Sequence, residues 1–333
     1  MTTPDCSPTA RATVIIPTYG YAPYARWAIA SAQTQTVREL EICVLCDGSP
    51  PETVEMLREI AAEDKRIQVL QFPKAPRTGE IHRALVIPQT TGKIICYLCH
   101  DDLWFPRHVE ILERLLQNAD FGHTLHTYGG LGPQFGSVRH TLPVDIALKK
   151  FQSMMLDTAL PRNYFGLSYG AHSRAAYLRL EEGWTVTPDG IWTDLHMWRK
   201  FLCSPSFRCA SHMAITGLHF ERTYWAGLYS PDEFEQELGR CFAKMSDPSF
   251  LDSLQDQALK QTLSEMEILG ERIEQVNRQI FQNDSEVLWC RGRIDEQTSE
   301  LNSLYASKSW RITKPLRYLA GIARRVGGKF FVR

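Results

Sequence analysis

Between residues 13 and 110, short apolar runs alternate with segments of helical composition, and this alternation restricts the fold more than any other feature of the chain. Residues 13–16 read as a strand ended by Pro17, 40–46 as a second, 67–72 as a third and 94–99 as a fourth. Residues 22–36 and 53–64 are helical in composition, 81–89 is helical as far as Pro88, and 107–117 forms a helix after the last strand. Strand and helix in turn at this spacing predict an α/β fold with a mostly parallel sheet flanked by helices. Sheets of that kind bind ligands at the carboxyl ends of their strands. Three clusters are expected there: Pro17, Thr18 and Tyr19; Asp47, Gly48 and Ser49; and His100, Asp101 and Asp102.

Residues 120–250 are less periodic and rich in aromatics, His and Gly. Here 121–136 and 163–170 read as loops around a pocket, and 190–202 as a turn followed by a helix. From about 251 the pattern changes. Leu259, Met266, Ile273, Ile280, Val287, Ile294 and Leu301 recur every seven residues. With these at position a, the d positions hold Thr262, Leu269, Val276, Asn283, Cys290, Gln297 and Leu304. A complete apolar a column predicts a coiled coil and hence a homo-oligomer, on a helix roughly 65 Å long. Asn283 and Gln297 would set its register or strand number, and a helix folded back on the body is the alternative.

Charge divides the chain in the same way. Of 37 basic residues against 38 acidic, eight basic and no acidic ones lie in 307–333, which leaves 29 against 38, a net −9, in the rest. In that tail Ile312, Leu316, Leu319, Ile322, Val326 and Phe330 fall three or four apart with basic residues between them. This predicts an amphipathic helix on an anionic membrane surface, where each Lys or Arg is worth about 1 kcal/mol. Docking to a partner protein is the lesser alternative, and nucleic acid is not expected, because no nucleic-acid-binding motif accompanies the charge. The chain has no apolar run long enough to span a bilayer, and its first residues lack the form of a secretory signal. Nine cysteines in such a chain lead us to expect a reduced, cytoplasmic protein. The pairs Cys43/Cys46 and Cys96/Cys99 have zinc-like spacing, but three apart on a strand they face opposite sides. They read instead as small buried apolar residues.

An apolar strand ending in Asp47 and Gly-Ser leaves a carboxylate to accept hydrogen bonds from a base or ribose. The adjacent Asp101 and Asp102 suit a hard divalent cation, which would neutralise a diphosphate. Each cluster alone reads equally well as a turn or helix cap. Together, VIIPTYG, LEICVLCDGSP and GKIICYLCHDDLWFP resemble the family 2 glycosyltransferases, which have the nucleotide-diphospho-sugar transferase fold called glycosyltransferase A. The likeness is good over residues 12–115 and looser to 225. It implies that Pro17, Thr18 and Tyr19 line a nucleotide pocket and that Asp47 holds the pyrimidine. Arg83 matches the Arg of the family's A-R-N element, with Ala84 replacing its Asn. Asp101 would contact Mn or Mg, Asp102 would stand beside the sugar, and His100 would assist at the metal, with a hydrogen-bonding role as the commoner alternative for an edge histidine. Two departures stand out: Cys46 replaces the first Asp of D-D-G-S, and Cys99 the first Asp of the DxD motif.

The family's inverting reaction needs a base to take the acceptor's proton. WTDLHMWRKF resembles the element that supplies it, with Thr193 in place of its Glu and Asp194 as the base. An Asp opening a helix also reads as a cap, and a helix N-terminus would hold its pKa down. His219, in ITGLHF, matches a late histidine that completes the metal site in some relatives; a buried structural His is the alternative. Trp192, Trp198 and Trp225 would stack on sugars or fill the core. SKSWRITKPLR resembles an element that follows coiled coils in many bacterial polysaccharide-assembling glycosyltransferases.

The expected organisation is therefore a nucleotide-sugar-binding half over 1–115, an acceptor-binding half over 116–250, a coiled coil over 251–306 and a basic tail over 307–333. The resemblance implies sugar transfer from a nucleotide-diphospho-sugar donor to a glycan or lipid-linked glycan acceptor. This would take place at the inner face of the cell membrane, in bacterial surface polysaccharide synthesis. A different class of function is a non-catalytic assembly protein with a degenerate transferase body, which the loss of the first DxD carboxylate favours. A nucleotidyltransferase is disfavoured, because the Gly-rich, Lys-containing start expected of one is absent.

Overall fold

Val14, Ile15 and Ile16 have no solvent exposure, and burial on both faces explains why β1 (Ala10–Thr18) is an unbroken apolar run. The computed structural model describes residues 10–129 and 143–308, with Trp310 and Thr313. Strands β2 (Leu40–Asp47), β3 (Ile67–Phe72) and β4 (Gly92–Tyr97) lie parallel to β1. The sheet is completed by β5 (Leu103–Trp104), β6 (Phe121–Tyr128), β7 (Gly170–Ser173) and β8 (Cys209–His219), in the order β3-β2-β1-β4-β7-β6-β8-β5. Only β7 and β5 run against the others. The result is the mixed, mostly parallel sheet with flanking helices that the alternating pattern predicts.

The helices are α1 (Ala25–Gln33), α2 (Pro51–Glu63), α3 (Glu80–Val86), α4 (His108–Leu115), α5 (Lys149–Leu156), α6 (Arg174–Leu178), α7 (Thr193–Leu202), α8 (Arg222–Trp225), α9 (Pro231–Met245) and α10 (Pro248–Ala306). Pro51 suits the first position of α2, whose Val54 and Leu57 face the core. Ser230 and Glu233 form a reciprocal capping box on α9. That helix packs Phe234 and Leu238 inward, and Glu235 accepts the Trp27 indole N–H from α1 at 3.0 Å.

Two expectations change. Strand β1 runs through Pro17 instead of ending at it. Its ladder to β4 stops at Ile15, so the missing N–H of Pro17 leaves no ladder bond unmade, and the Pro17 carbonyl takes a side-chain partner. Residues 121–128 form a strand where a loop was expected. The stretch is buried throughout from Phe121 to Thr127, so its His and Thr residues obscure an interior strand. Residues 163–170 do form a connection, ending in a single 3₁₀ turn at Leu167–Tyr169; the rest of the expected first loop, 130–136, lies outside the described residues.

Cys43, Cys46 and Cys96 are buried and free, and burial pushes the Cys43 and Cys46 thiols up to about 12 and about 11. The chain divides into two compact units at Leu263/Ser264. In the first, Phe250, Leu251 and Leu254 at the start of α10 pack on the core. In the second, every residue of α10 from 266 to 306 is exposed. Among the described residues no helix is long and apolar enough to cross a membrane. The amphipathic tail expected over 307–333 lies almost wholly outside the described residues.

Candidate active site

Asp47 is the last residue of β2, and Gly48 turns the chain there at φ +67°. A Cβ on Gly48 would come within 2.6 Å of Lys74 Cβ, so the turn admits a close approach that only glycine allows. Lys74 Nζ sits 2.6 Å from Asp47 Oδ2, the Ala75 N–H donates to Oδ1 at 2.6 Å, and His82 Nε2 lies 3.1 Å from Oδ1. Burial would raise this carboxyl's pKa, but the bonds from Lys74, Ala75 and His82 outweigh it and hold the group below the usual carboxylate range. Asp47 is therefore ionised with both oxygens engaged.

The segment after β4 divides its three residues between two tasks. The His100 ring reaches back to the Pro17 carbonyl, with Nδ1 at 2.9 Å, and packs edge-on to Tyr19. Asp102 is 1% exposed and is not among the cleft-lining residues. Its Oδ1 accepts the Phe220 N–H at 3.0 Å and lies 2.9 Å from His219 Nδ1, while Oδ2 accepts the Ser168 hydroxyl. Both oxygens thus have partners inside the protein, whereas the resemblance implies that Asp102 stands beside the sugar. Asp101 is half-buried and lines the cleft, with no ion pair among the described residues. Burial pushes its carboxyl up, His100 opposes this, and Asp102 adds to the rise.

The cleft, of about 150 Å³, is lined by Pro17, Tyr19, His100 and Asp101. Thr78, Arg83, Cys99, Leu167, Thr193 and Arg222 complete it. Arg83 is 2% exposed; its Nη2 donates to the Thr78 carbonyl at 2.9 Å, and its guanidinium lies 4.6 Å from the Trp184 ring centre. Nε and Nη1 have no partner among the described residues. The Arg222 guanidinium stacks over Tyr19 at 4.7 Å.

Asp194 lies in the first turn of α7, one residue past the cleft-lining Thr193. It is not the cap, a position held by Trp192. Its Oδ1 accepts the Leu195 N–H at 2.9 Å and its Oδ2 the Asn163 amide at 2.8 Å. Burial pushes its pKa up, and the bond from Asn163 only partly offsets this. The direction is opposite to that expected from the helix N-terminus alone, because desolvation outweighs the helix dipole at a half-buried site. His219 is also shifted. Burial opposes its charge, but Asp102 and Asp101 raise its pKa to about 9.

The structure thus brings Pro17, Tyr19, Arg83, His100 and Asp101 onto one cleft, with Asp194 adjoining it. Thr18, Asp47, Asp102 and His219 are not among the residues that line it; Thr18 is buried, with its carbonyl 3.3 Å from the Ser49 hydroxyl. Lys74, His82, Asn163, Ser168 and Arg222 were not anticipated. Arg222 follows β8 by three residues, at the carboxyl edge shared by the parallel strands, so recognising β8 would have revealed it. Trp198 and Trp225 are core residues, stacked on Phe121 at 5.0 Å and on Phe234 at 3.8 Å, whereas Trp192 is exposed.

No group of three or more His, Cys, Asp or Glu side chains able to hold a metal ion by themselves occurs among the described residues. Mg²⁺ and similar cations nevertheless take one or two protein carboxylates together with substrate phosphates. The unpaired Asp101 carboxylate in the cleft fits that modest demand. Asp102 fixes the His219 ring through Nδ1, leaving Nε2 as its remaining nitrogen.

The profile of the family described as Glycosyl transferase family 2 matches residues 13–180, half of the chain, and the chain belongs to that family. An uncharacterized glycosyltransferase of Rickettsia bellii is 33% identical over 117 residues, which cover 34% of this chain and 16% of the relative. A hyaluronan synthase of Pasteurella multocida is 29% identical over 121 residues, or 36% of this chain and 12% of the relative. The chain therefore spans a small part of the curated relatives it matches. Among solved structures, a mannosyltransferase of Pyrobaculum calidifontis in complex with GDP-Man and Mn²⁺ superposes with a TM-score of 0.45 at 17% identity, covering 80% of this chain and 81% of that one.

Proposed function

We propose that the protein transfers a sugar from a nucleotide-diphospho-sugar to a hydroxyl of a glycan or lipid-linked glycan, with inversion at the anomeric carbon. The observation that carries the reading is the convergence of Asp101, Arg83 and Arg222 on a cleft lined also by Thr193, the chain neighbour of Asp194. Asp194, raised in basicity by burial, takes the proton from the acceptor hydroxyl when in its carboxylate form. The acceptor oxygen then bonds to the anomeric carbon as the bond to the diphosphate breaks, and the electron pair leaves with the nucleoside diphosphate. Arg83 and Arg222 stabilise the charge that develops there. A divalent ion, Mn²⁺ or Mg²⁺, bound at Asp101 would supply further charge neutralisation on the diphosphate. His219, protonated near neutrality, would have to lose its proton before joining that ion. Pro17, Thr18, Tyr19 and His100 shape the nucleotide end. Asp47, held by Lys74 and His82, meets the base, and Asp102 positions His219 close to the sugar.

The basic tail over 307–333 supports work beside an anionic membrane surface at its cytoplasmic face, in surface polysaccharide synthesis. The apolar column of α10 supports a homo-oligomer.

The test is donor turnover by purified protein with Mn²⁺ or Mg²⁺. Asp194→Asn should lower the rate by about 10²–10⁴-fold while donor still binds, and Asp101→Ala should remove metal-linked binding. Full activity in both variants would remove the site assignment. A second reading, a non-catalytic assembly protein, rests on Cys99. Burial raises its thiol well above the usual range, so it is neutral and no substitute for the carboxylate. Calorimetry with UDP and GDP, with and without Mn²⁺, separates the two, since the assembly reading expects no metal-linked nucleotide binding.

A further inference from the structure

We infer that α10 pairs over residues 259–304 with a second copy of this chain, as a two-stranded, parallel coiled coil in exact register. The inference rests on the oligomer proposed above and fixes its geometry. The seven a residues from Leu259 to Leu301 are 50–61% exposed, and Leu269, Val276 and Leu304 at d are 44–51% exposed. A helix this long with a complete apolar a column gains its stability from a partner that covers that column.

The orientation follows from where the polar residues lie. Every a position is apolar, whereas Thr262, Asn283 and Gln297 all occupy d. In an antiparallel pair each a residue faces a d residue of the other helix, so each buried amide would press against an aliphatic side chain and lose its hydrogen bonds. In a parallel pair d faces d, and in register Asn283 meets Asn283 and Gln297 meets Gln297 of the second copy. A slip of one heptad would set Asn283 against Val276 or Cys290 and forfeit that pairing.

Both columns favour two helices: Ile273, Ile280, Val287 and Ile294 at a are β-branched, as in two-stranded coils, and d lacks the Ile that shifts preference to three or four strands. The flanking charges agree. Between g of one helix and the following e of the other, Glu286 meets Arg291, and no such pair in the segment brings like charges together. A parallel pair also releases two copies of the sequence 307–333 from the same end, so two basic segments would meet one surface together.

Cys290 reports on this geometry. It is an exposed free thiol at d, and in register it faces Cys290 of the second copy. On the full-length protein, light scattering should give twice the 38.1 kDa chain mass. A short bismaleimide should give a covalent dimer, abolished by Cys290→Ser and retained in Cys203→Ser. Ile280→Asp should halve the mass and leave nucleotide binding intact. A single-chain mass for the unaltered protein would overturn the pairing, and a triple mass the two-strand assignment. A double mass without cross-linking through Cys290 would overturn the parallel register. Failure of donor turnover would strike the transferase reading alone, because none of these readouts depends on activity.

Discussion

His219 Nδ1 lies 2.9 Å from Asp102 Oδ1, and the same oxygen accepts the Phe220 N–H, so one buried carboxylate fastens the end of β8 to the turn that follows β4. Because this contact raises the His219 pKa from 6.5 to about 9, its stabilisation is complete below the unfolded value and is lost as pH rises through the folded one. After allowance for a ring partly open to solvent, it amounts to about 2 kcal/mol. We predict that melting temperature falls between pH 6.5 and 9 and that Asp102→Asn flattens that slope, as thermal unfolding across the range would show.

The Asn163 amide donates to Asp194 and favours its ionised form. Removing it in Asn163→Ala should raise the Asp194 pKa further. The acid limb of the pH–rate profile should then move to higher pH by roughly half to one unit. An unmoved limb would show that Asp194 does not govern it.

Arg222 stacks over Tyr19 and pairs with no carboxylate among the described residues, which leaves its charge available to the cleft. Arg222→Ala should weaken binding of a nucleoside diphosphate on the order of tenfold. Arg222→Lys should recover only part of the loss, since an ammonium cannot stack as a guanidinium does. Calorimetry on the two variants checks both statements.

Gly48 combines a left-handed backbone with a Cβ position blocked by Lys74. Gly48→Ala should cost about 1–3 kcal/mol in chemical denaturation. It should also push Lys74 off Asp47, lowering nucleotide affinity in the refolded protein.

Ending the chain at Ala306 removes all eight basic residues of the tail and no acidic ones. The shortened protein should bind nucleotide normally and should lose sedimentation with anionic vesicles at low salt. Equal vesicle binding by both forms would remove the membrane reading.

The parallel half of the sheet was legible because each of its strands is an apolar run bounded by turn residues. The carboxyl-edge clusters followed from that pattern alone. Strand β6 was not legible, since His123, Thr124, His126 and Thr127 lie inside it and give neither an apolar run nor an alternation. Missing β6 and β8 concealed Arg222 as well. The behaviour of Asp102 could not be foreseen for another reason. Two adjacent aspartates look alike in sequence, and only the placement of Ser168 and Phe220 turns one inward while its neighbour lines the cleft. The direction of the Asp194 shift likewise depends on burial, which a motif does not encode.

Arg83 sets a further condition on the molecule. Its guanidinium is buried, with Nε and Nη1 unpartnered among the described residues. An interior guanidinium with two hydrogen-bonding groups unmet is costly, and an anion that bonds to them relieves the cost. A donor diphosphate held there would therefore act on folding as well as on reaction, adding about 2.7 kcal/mol when its concentration is 100 times Kd. Cells depleted of donor should then degrade the protein faster than cells that are replete, which pulse-chase labelling would measure. Arg83→Met should remove the difference. On this account the cleft would link how long each molecule survives to the supply of its proposed donor.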